Sequence, residues 1–415
     1  MSLKLLSLLG MVVIIATAWG LSMNRSRFPW RTVLSGMALQ FGFALLILKT
    51  PFGESLFRMA QRAVNKISDF SIEGAKMVFG PLADSRLLAE KFGPANGLIF
   101  AIAISATIIV VSALSSLLYH WKILPKVVQG MARLMESVMR TSGSESLAAA
   151  SNIFVGQTEA ALLVKAYLAR MTFSEVMALM TAGMATIASG VMVVYGTLGI
   201  SSGHLLTASV LSAPAALLIA KVMVPETERS ETAGGAHAKL EQSFTNSIDA
   251  LCRGASEGVT LAINVMGMLI AFIAVVALMN YTGSWLLRKL FDVQAATPLQ
   301  TLFGWVNAPF AWLMGVPARD CVKVGEILGE RIVLNEFIGY FSLIKAQSQL
   351  DPRSVILTTY ALCGFANFGS IAIQIGGIGA LAPERRADLA RLGIRSMVAG
   401  LLACYLTATV VGVLL

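Results

Sequence analysis

Charge is scarce in this sequence. Asp, Glu, Lys and Arg make up 13% of its 415 residues, against 56% hydrophobic residues. A soluble chain of this length carries roughly 25% charge to cover its surface, so lipid must be the solvent for most of this one. Ligating and nucleophilic side chains are scarce as well. The four cysteines (Cys252, Cys321, Cys363, Cys404) form no CxxC pair, and the three histidines (His120, His204, His237) lie far apart. That argues against a disulfide framework or a zinc site. No nucleophile–base pair or lipid-phosphate site is visible, which argues against an intramembrane enzyme. The net charge of +9 suggests nucleic acid at first sight. The basic residues instead gather in short loops beside apolar runs, as in membrane proteins.

Long apolar runs are what the chain does have. Leu5 to Met23, Leu98 to Tyr119, Met266 to Met279 and Met397 to Leu415 are long enough, or nearly so, to cross the hydrocarbon core. The first runs into Asn24-Arg25-Ser26-Arg27 without a clear cleavage site and reads as a retained span. The pattern predicts an all-α polytopic membrane protein. Its eight spans are expected near 4–23, 30–49, 95–120, 174–199, 203–224, 257–282, 353–380 and 394–415. Residues 51–94 are amphipathic, with Phe57, Met59, Val64 and Ile67 among Arg58, Arg62 and Lys66. They predict an interfacial helix. Residues 141–170 and 298–347 are apolar but interrupted by Gly, Pro, Asn and Glu, which predicts two re-entrant hairpins.

Basic residues orient the chain. Arg25, Arg27 and Arg31 follow the first span, and Lys122, Lys126, Arg133 and Arg140 follow the third. Lys165 and Arg170 precede the fourth, Lys221, Arg229 and Lys239 follow the fifth, and Arg385, Arg386, Arg391 and Arg395 separate the last two. With these cytoplasmic, both termini are periplasmic. Arg58, Arg62, Lys66, Lys76, Arg86 and Lys91 then lie on the outside, against the rule, although distance from span ends weakens their vote.

A polar tract from Met223 to Asn246, with Gly234-Gly235, divides the chain and reads as a cytoplasmic loop. Related units flank it. Gly183-Met184-Ala185-Thr186-Ile187-Ala188-Ser189 aligns with Gly364-Phe365-Ala366-Asn367-Phe368-Gly369-Ser370, and each follows a glutamate in an apolar hairpin, Glu159 or Glu336. Hairpin, broken span, span thus occurs twice, on opposite faces, which is an inverted repeat. The expected division is 1–140 (N-terminal spans and interfacial helices), 141–225 (first repeat), 226–256 (cytoplasmic loop), 257–297 (sixth span) and 298–415 (second repeat).

The hairpins carry the candidate chemistry. A carboxylate such as Glu159 or Glu336 costs about a few kcal/mol at membrane depth and needs a partner or an aqueous cavity. Gly156 lets the backbone turn, so Gln157, Thr158 and Glu159 read as a hairpin tip; an interfacial glutamate is the other reading. Asn367 and Ser370 stand three apart among glycines, which suggests an unwound span or a packing face of small residues. Lys323, Glu326, Glu330 and Arg331 read as a solvated or ion-paired stretch. Two carboxylates, the amides of Gln157 and Asn367, and several hydroxyls suit a neutral, polyhydroxylated ligand. Phe365 offers a ring for stacking. No Lys or Arg sits within these motifs, which disfavours an anionic ligand.

Gly156-Gln157-Thr158-Glu159-Ala160, Asn335-Glu336-Phe337, Pro309 to Pro317 and Gly364 to Ser370 resemble, in order, the signature motifs of the concentrative nucleoside transporter family. The resemblance covers the chain from about residue 5 to its end. It implies a homotrimer of eight spans and two hairpins, in which a transport part moves like an elevator against a scaffold. It implies no organic cofactor and no enzymatic activity. Gln157, Thr158 and Glu159 would face the nucleobase, Glu336, Asn367 and Ser370 the ribose, and Phe365 would pack beside the ligand. Sodium, the implied coupling ion, would sit at Asn152 and Val155 with Ala185, Thr186 and Ile187. Gly369 departs from the family pattern, where a hydroxyl residue is expected. The expected partners are uridine-like or purine nucleosides, sodium and the lipid of a bacterial inner membrane. Proton coupling through Glu159 or Glu336 is the alternative to sodium, and a channel is the other class of membrane protein to exclude.

Overall fold

A computed structural model describes residues 2–93, 99–233, 244–292, 294 and 296–415. Every regular element among them is a helix. The first part holds α1 (Leu3–Gly20), α2 (Trp30–Lys49), α3 (Pro51–Phe79), α4 (Ser85–Phe92), α5 (Phe100–His120) and α6 (Ile123–Met139). Then come α7 (Gly143–Asn152), α8 (Glu159–Leu163), α9 (Lys165–Leu168), α10 (Phe173–Ala185), α11 (Ser189–Thr197) and α12 (Ser202–Met223). The second half holds α13 (Ser247–Phe291), α14 (Pro298–Leu313), α15 (Cys321–Val333), α16 (Glu336–Ala346), α17 (Pro352–Leu362), α18 (Phe368–Leu381) and α19 (Arg386–Leu414).

The described part of the amphipathic stretch, 51–93, forms α3, a 29-residue helix, followed by a 3-10 turn and α4. Thr50 starts α3 by accepting from the Gly53 N–H at 3.2 Å, with Pro51 at its first position. Asp84 caps α4 and meets Lys76 at 2.8 Å; that ammonium holds the Asp84 carboxyl below the usual carboxylate range.

Three boundaries differ from the sequence expectation. The sixth span, expected over 257–282, is part of one 45-residue helix, α13. Asn246 caps its start and the polar 247–256 segment simply continues the apolar one, with no proline to stop it. The 298–347 stretch is three helices rather than a hairpin of two. Gly315, at φ +87°, turns the chain between α14 and α15, so the hairpin proper is α15 and α16, with its tip at Leu334-Asn335. A side chain at Gly315 would lie 2.2 Å from the Ser7 Oγ, so the close approach of α1 also requires glycine there. The third is α6, whose apolar stripe packs on α2, α5 and α7. Each hairpin is therefore preceded by a helix, α6 or α14. Residues Gly234-Gly235 and the start of the third span lie outside the described residues.

The most enclosed elements are α7, α10, α12 and α19, which pack on one another. The long helices α5 and α13 pair with each other and leave large apolar side chains such as Ile270, Leu278 and Tyr281 exposed. Lys221, counted above among the loop charges, is instead buried at the end of α12. Its Nζ lies 2.7 Å from Glu145 on α7 and 3.1 Å from Glu226. It also donates to the Ser174 hydroxyl at the start of α10. Glu175 accepts from the hydroxyls of Ser142, Ser144 and Ser230 nearby. This polar knot ties the base of the first hairpin to α10 and α12.

Candidate functional site

Both aligned glycine-containing motifs fall on helix breaks. Helix α10 ends at Ala185, and Thr186 adopts an extended conformation before α11 begins. Helix α17 ends at Leu362, and Asn367, also extended, starts α18. The two breaks touch. The Phe365 N–H donates to the Thr186 carbonyl at 3.3 Å. The Cys404 thiol, from α19, reaches the carbonyls of Ala185 at 3.6 Å and Cys363 at 3.4 Å.

Capping explains the spacing of Asn367 and Ser370. The Asn367 Oδ1 accepts from the Ser370 N–H at 2.9 Å, as an N-cap does from the third residue of its helix. Its Nδ2 is left free to donate to the Glu336 Oε2 at 3.3 Å. Asn335 plays the same part at the tip of the second hairpin, accepting from the Ile338 N–H and so presenting Glu336 in the first turn of α16. That position suits a carboxylate, because the helix N-terminus is positive.

The first hairpin joins this group from the other side. The Gln157 Nε2 donates to the Ser370 Oγ at 3.4 Å. Gln374, one turn past Ser370, donates through its Nε2 to the Gln157 Oε1 and the Met180 carbonyl, both at 3.0 Å. Gly183 makes room for this crossing: a side chain there would lie 2.6 Å from the Gln374 Nε2 and 2.8 Å from the Gln157 Cβ. Thr158 packs against Gly377, where a side chain would meet its Cγ2 at 2.4 Å. Phe365 is half-buried beside the group.

Glu336, Asn367, Ser370 and Gln157 thus form one buried hydrogen-bonded set. Glu159 stands apart from it. It is exposed on the tip, and its Oε2 accepts from the Thr158 hydroxyl at 3.5 Å.

Of the cation candidates, Asn152 is the most telling. It is fully buried at the end of α7. Its Nδ2 is spent on the Ala148 carbonyl at 2.9 Å, while its Oδ1 has no partner among the described residues. A buried amide oxygen without a donor asks for one, or for a cation. Ala185, Thr186 and Ile187 are buried at the α10 break, and Val155 lies on the hairpin tip. The tip is bound to the break by the Ser189 N–H, which donates to the Phe154 carbonyl at 3.2 Å. Neutral amide, hydroxyl and carbonyl oxygens of this kind suit a hard monovalent cation.

Two members of the site were not singled out from the sequence. Tyr195 on α11 is fully buried, donates to the Glu336 Oε1 at 2.9 Å, and has its ring centroid 4.4 Å from that of Tyr340. Gln374 is the other. Both were detectable as lone polar groups inside apolar helices, which need a partner when buried. Arg331 differs from its expected place in a solvated stretch: it is fully buried, whereas Lys323 and Glu326 do form an exposed ion pair at 2.9 Å.

Two broken helices, whose polar breaks meet inside an apolar bundle and are closed over by two hairpin tips, define a multi-pass membrane transporter. Residues 204–412 match the family described as "Na+ dependent nucleoside transporter C-terminus", and residues 9–82 match its "N-terminus" counterpart. Residues 101–202 match one described as "Nucleoside recognition". An uncharacterised transporter of Haemophilus influenzae is 41% identical over 98% of this chain and 96% of its own length. The nucleoside permease NupC of Helicobacter pylori is 34% identical over 99% and 97%. The structure of CNTnw in an inward-facing substrate-bound state is similar with a TM-score of 0.93 at 37% identity, covering 99% of this chain and 97% of that one. The chain belongs to the concentrative nucleoside transporter family, a family of transporters and not of enzymes.

Tyr195→Phe removes the donor that orients one Glu336 oxygen and leaves the fold intact. A charge-assisted hydrogen bond of this type is worth about 1.5–3 kcal/mol, so uptake efficiency is expected to fall by roughly 10-fold or more. Initial rates across a nucleoside concentration series in proteoliposomes measure this.

Proposed function

We propose that this protein is a secondary active symporter that imports nucleosides with a sodium gradient. The observation that carries the reading is the convergence of Gln157, Glu336, Asn367 and Ser370 at the meeting point of two broken helices. Glu336 accepts hydrogen bonds from the ribose hydroxyls, and Asn367 and Ser370 complete that half of the site. Gln157, Thr158 and Glu159 serve the base, with Glu159 reaching it on a movement of the tip, and Phe365 packs beside the ligand. Sodium is a co-substrate, held by Asn152 and Val155 from the first hairpin and by Ala185, Thr186 and Ile187 at the α10 break. The partnerless Asn152 oxygen supports this placement.

The repeated order of helix, hairpin, broken span and span supports an inverted repeat, the second unit being α14 to α19. Its enclosed helices would form the part that moves, and the exposed α5–α13 pair would belong to the scaffold of a homotrimer. We assign the protein to a bacterial inner membrane with both termini periplasmic. A single sodium ion crossing about 100 mV supplies about 2.3 kcal/mol, enough for roughly 50-fold accumulation of a neutral nucleoside.

Radiolabelled uridine uptake into proteoliposomes is expected to require an inward sodium gradient and to drop to background when choline replaces sodium at fixed pH. Unchanged uptake overturns sodium coupling, and uptake that follows an imposed proton gradient instead establishes the proton alternative. Competition by a nucleoside panel in the same assay ranks purines against pyrimidines.

A further inference from the structure

The last turn of α17 has lost its intrahelical donors, because the helix stops at Leu362. Its four final carbonyls have each found another. The Thr359 carbonyl accepts from the Tyr340 hydroxyl at 2.9 Å. Those of Tyr360 and Leu362 accept from the N–H groups of Cys363 at 3.2 Å and Gly364 at 2.7 Å. The Ala361 carbonyl accepts from the guanidinium of Arg331 on α15.

In an unbroken helix, the Ala361 carbonyl would take the N–H four residues on, that of Phe365. That N–H is the one that donates across to Thr186 on the other break. Arg331 therefore stands in for the Phe365 amide and releases it to join the two breaks. Arg331 is fully buried, and among the described residues no carboxylate forms an ion pair with it. Among the described residues its Nε and Nη2 have no hydrogen-bond partner, and its guanidinium lies 5.6 Å from the Tyr405 ring on α19. A buried cation persists only where its surroundings favour it, and the negative end of α17 and the ring face both do so. No packing need is met by such a group that an apolar side chain would not meet better.

We propose that Arg331 is a positioning residue that holds the break between α17 and α18 open. It keeps the Phe365 amide on the Thr186 carbonyl, and so couples the nucleoside residues Phe365 and Asn367 to the cation residues at Thr186. The proposal deepens the sodium-symport reading and rests on it. In the absence of Arg331, the Phe365 amide can return to the Ala361 carbonyl and rewind the helix, which separates the two halves of the site.

The test is nucleoside binding to the purified, detergent-solubilised protein, by titration calorimetry with uridine, at high sodium and without sodium. The ratio of the two dissociation constants is the coupling factor, typically about 5- to 150-fold between linked sites. Arg331→Met is expected to bring this factor to within about threefold of unity, while Arg331→Lys, which keeps a charged donor, restores it. A merely structural role would shift the melting temperature without moving the factor. A folded Arg331→Met with the wild-type factor overturns the proposal. Where Arg331→Met does not give a monodisperse protein, Arg331→Gln takes its place, with at least a threefold loss of coupling expected and no loss overturning it. Glu336→Gln, run alongside, separates the two failures. Wild-type binding by that variant sinks the site reading itself. Loss of its binding, together with unchanged coupling in Arg331→Met, sinks only the role of Arg331.

Discussion

Glu336→Gln is expected to lower ribonucleoside uptake by at least about 100-fold while leaving the protein folded and monodisperse. The carboxylate faces donors on both sides, the Tyr195 hydroxyl at 2.9 Å and the Asn367 amide at 3.3 Å. A glutamine can present its oxygen to only one of them and turns its own NH2 toward the other. On the proposed ribose role, it also loses the charge that strengthens each bond to a ribose hydroxyl, such bonds being worth about 1.5–3 kcal/mol each. Two such bonds correspond to roughly two to four orders of magnitude. Uptake in proteoliposomes and size-exclusion chromatography of the same preparation check both halves of the expectation. A variant that transports at the wild-type rate removes Glu336 from the ribose site.

Lys221→Met is expected to have the largest effect on stability. The Lys221 side chain is 7% exposed and that of Glu145 is 2% exposed, with 2.7 Å between the charged atoms. Removing the lysine leaves Glu145 buried without its counter-charge, at a cost of about 3–5 kcal/mol. That corresponds to a fall of roughly 3–6 °C in melting temperature for a chain of this size. The double variant Lys221→Met with Glu145→Gln is expected to recover a substantial part of the loss, since it removes the stranded charge. Arg170→Ala breaks an exposed pair with Glu231 and is expected to shift stability by less than about 1 kcal/mol. Scanning fluorimetry of the purified variants compares all three. Equal melting temperatures for Lys221→Met and the wild type would show that the pair contributes nothing.

The two expectations draw on different parts of what the sequence discloses. Glu336 is visible as a carboxylate inside Ile332 to Tyr340, because burial of a charge in such a run demands an explanation. The buried state of Lys221 is not visible in the same way. It stands at the end of an apolar run, just where a snorkelling loop lysine would stand, and only the approach of α7 encloses it. Arg331 misleads for the same reason. Its neighbours Lys323 and Glu326 do form an exposed pair, and a helix of mixed charge does not reveal which face turns inward.

What the sequence determined by itself is the solvent, the helical class and the two breaks at Gly183 to Ser189 and Gly364 to Ser370. Apolar run length answers to the thickness of a bilayer, and glycine with a capping Asn or an extended Thr stops a helix locally, whatever surrounds it. The tertiary structure alone decided which breaks meet and what fills the bonds they leave open. The Phe365 amide is released by Arg331 on one hairpin and received by Thr186 on another break, and Tyr195 and Gln374 bond to Glu336 and Gln157, partners far from them in the chain. A hydrogen bond between segments far apart in sequence depends on packing to within a few tenths of an ångström, and no local pattern carries that information.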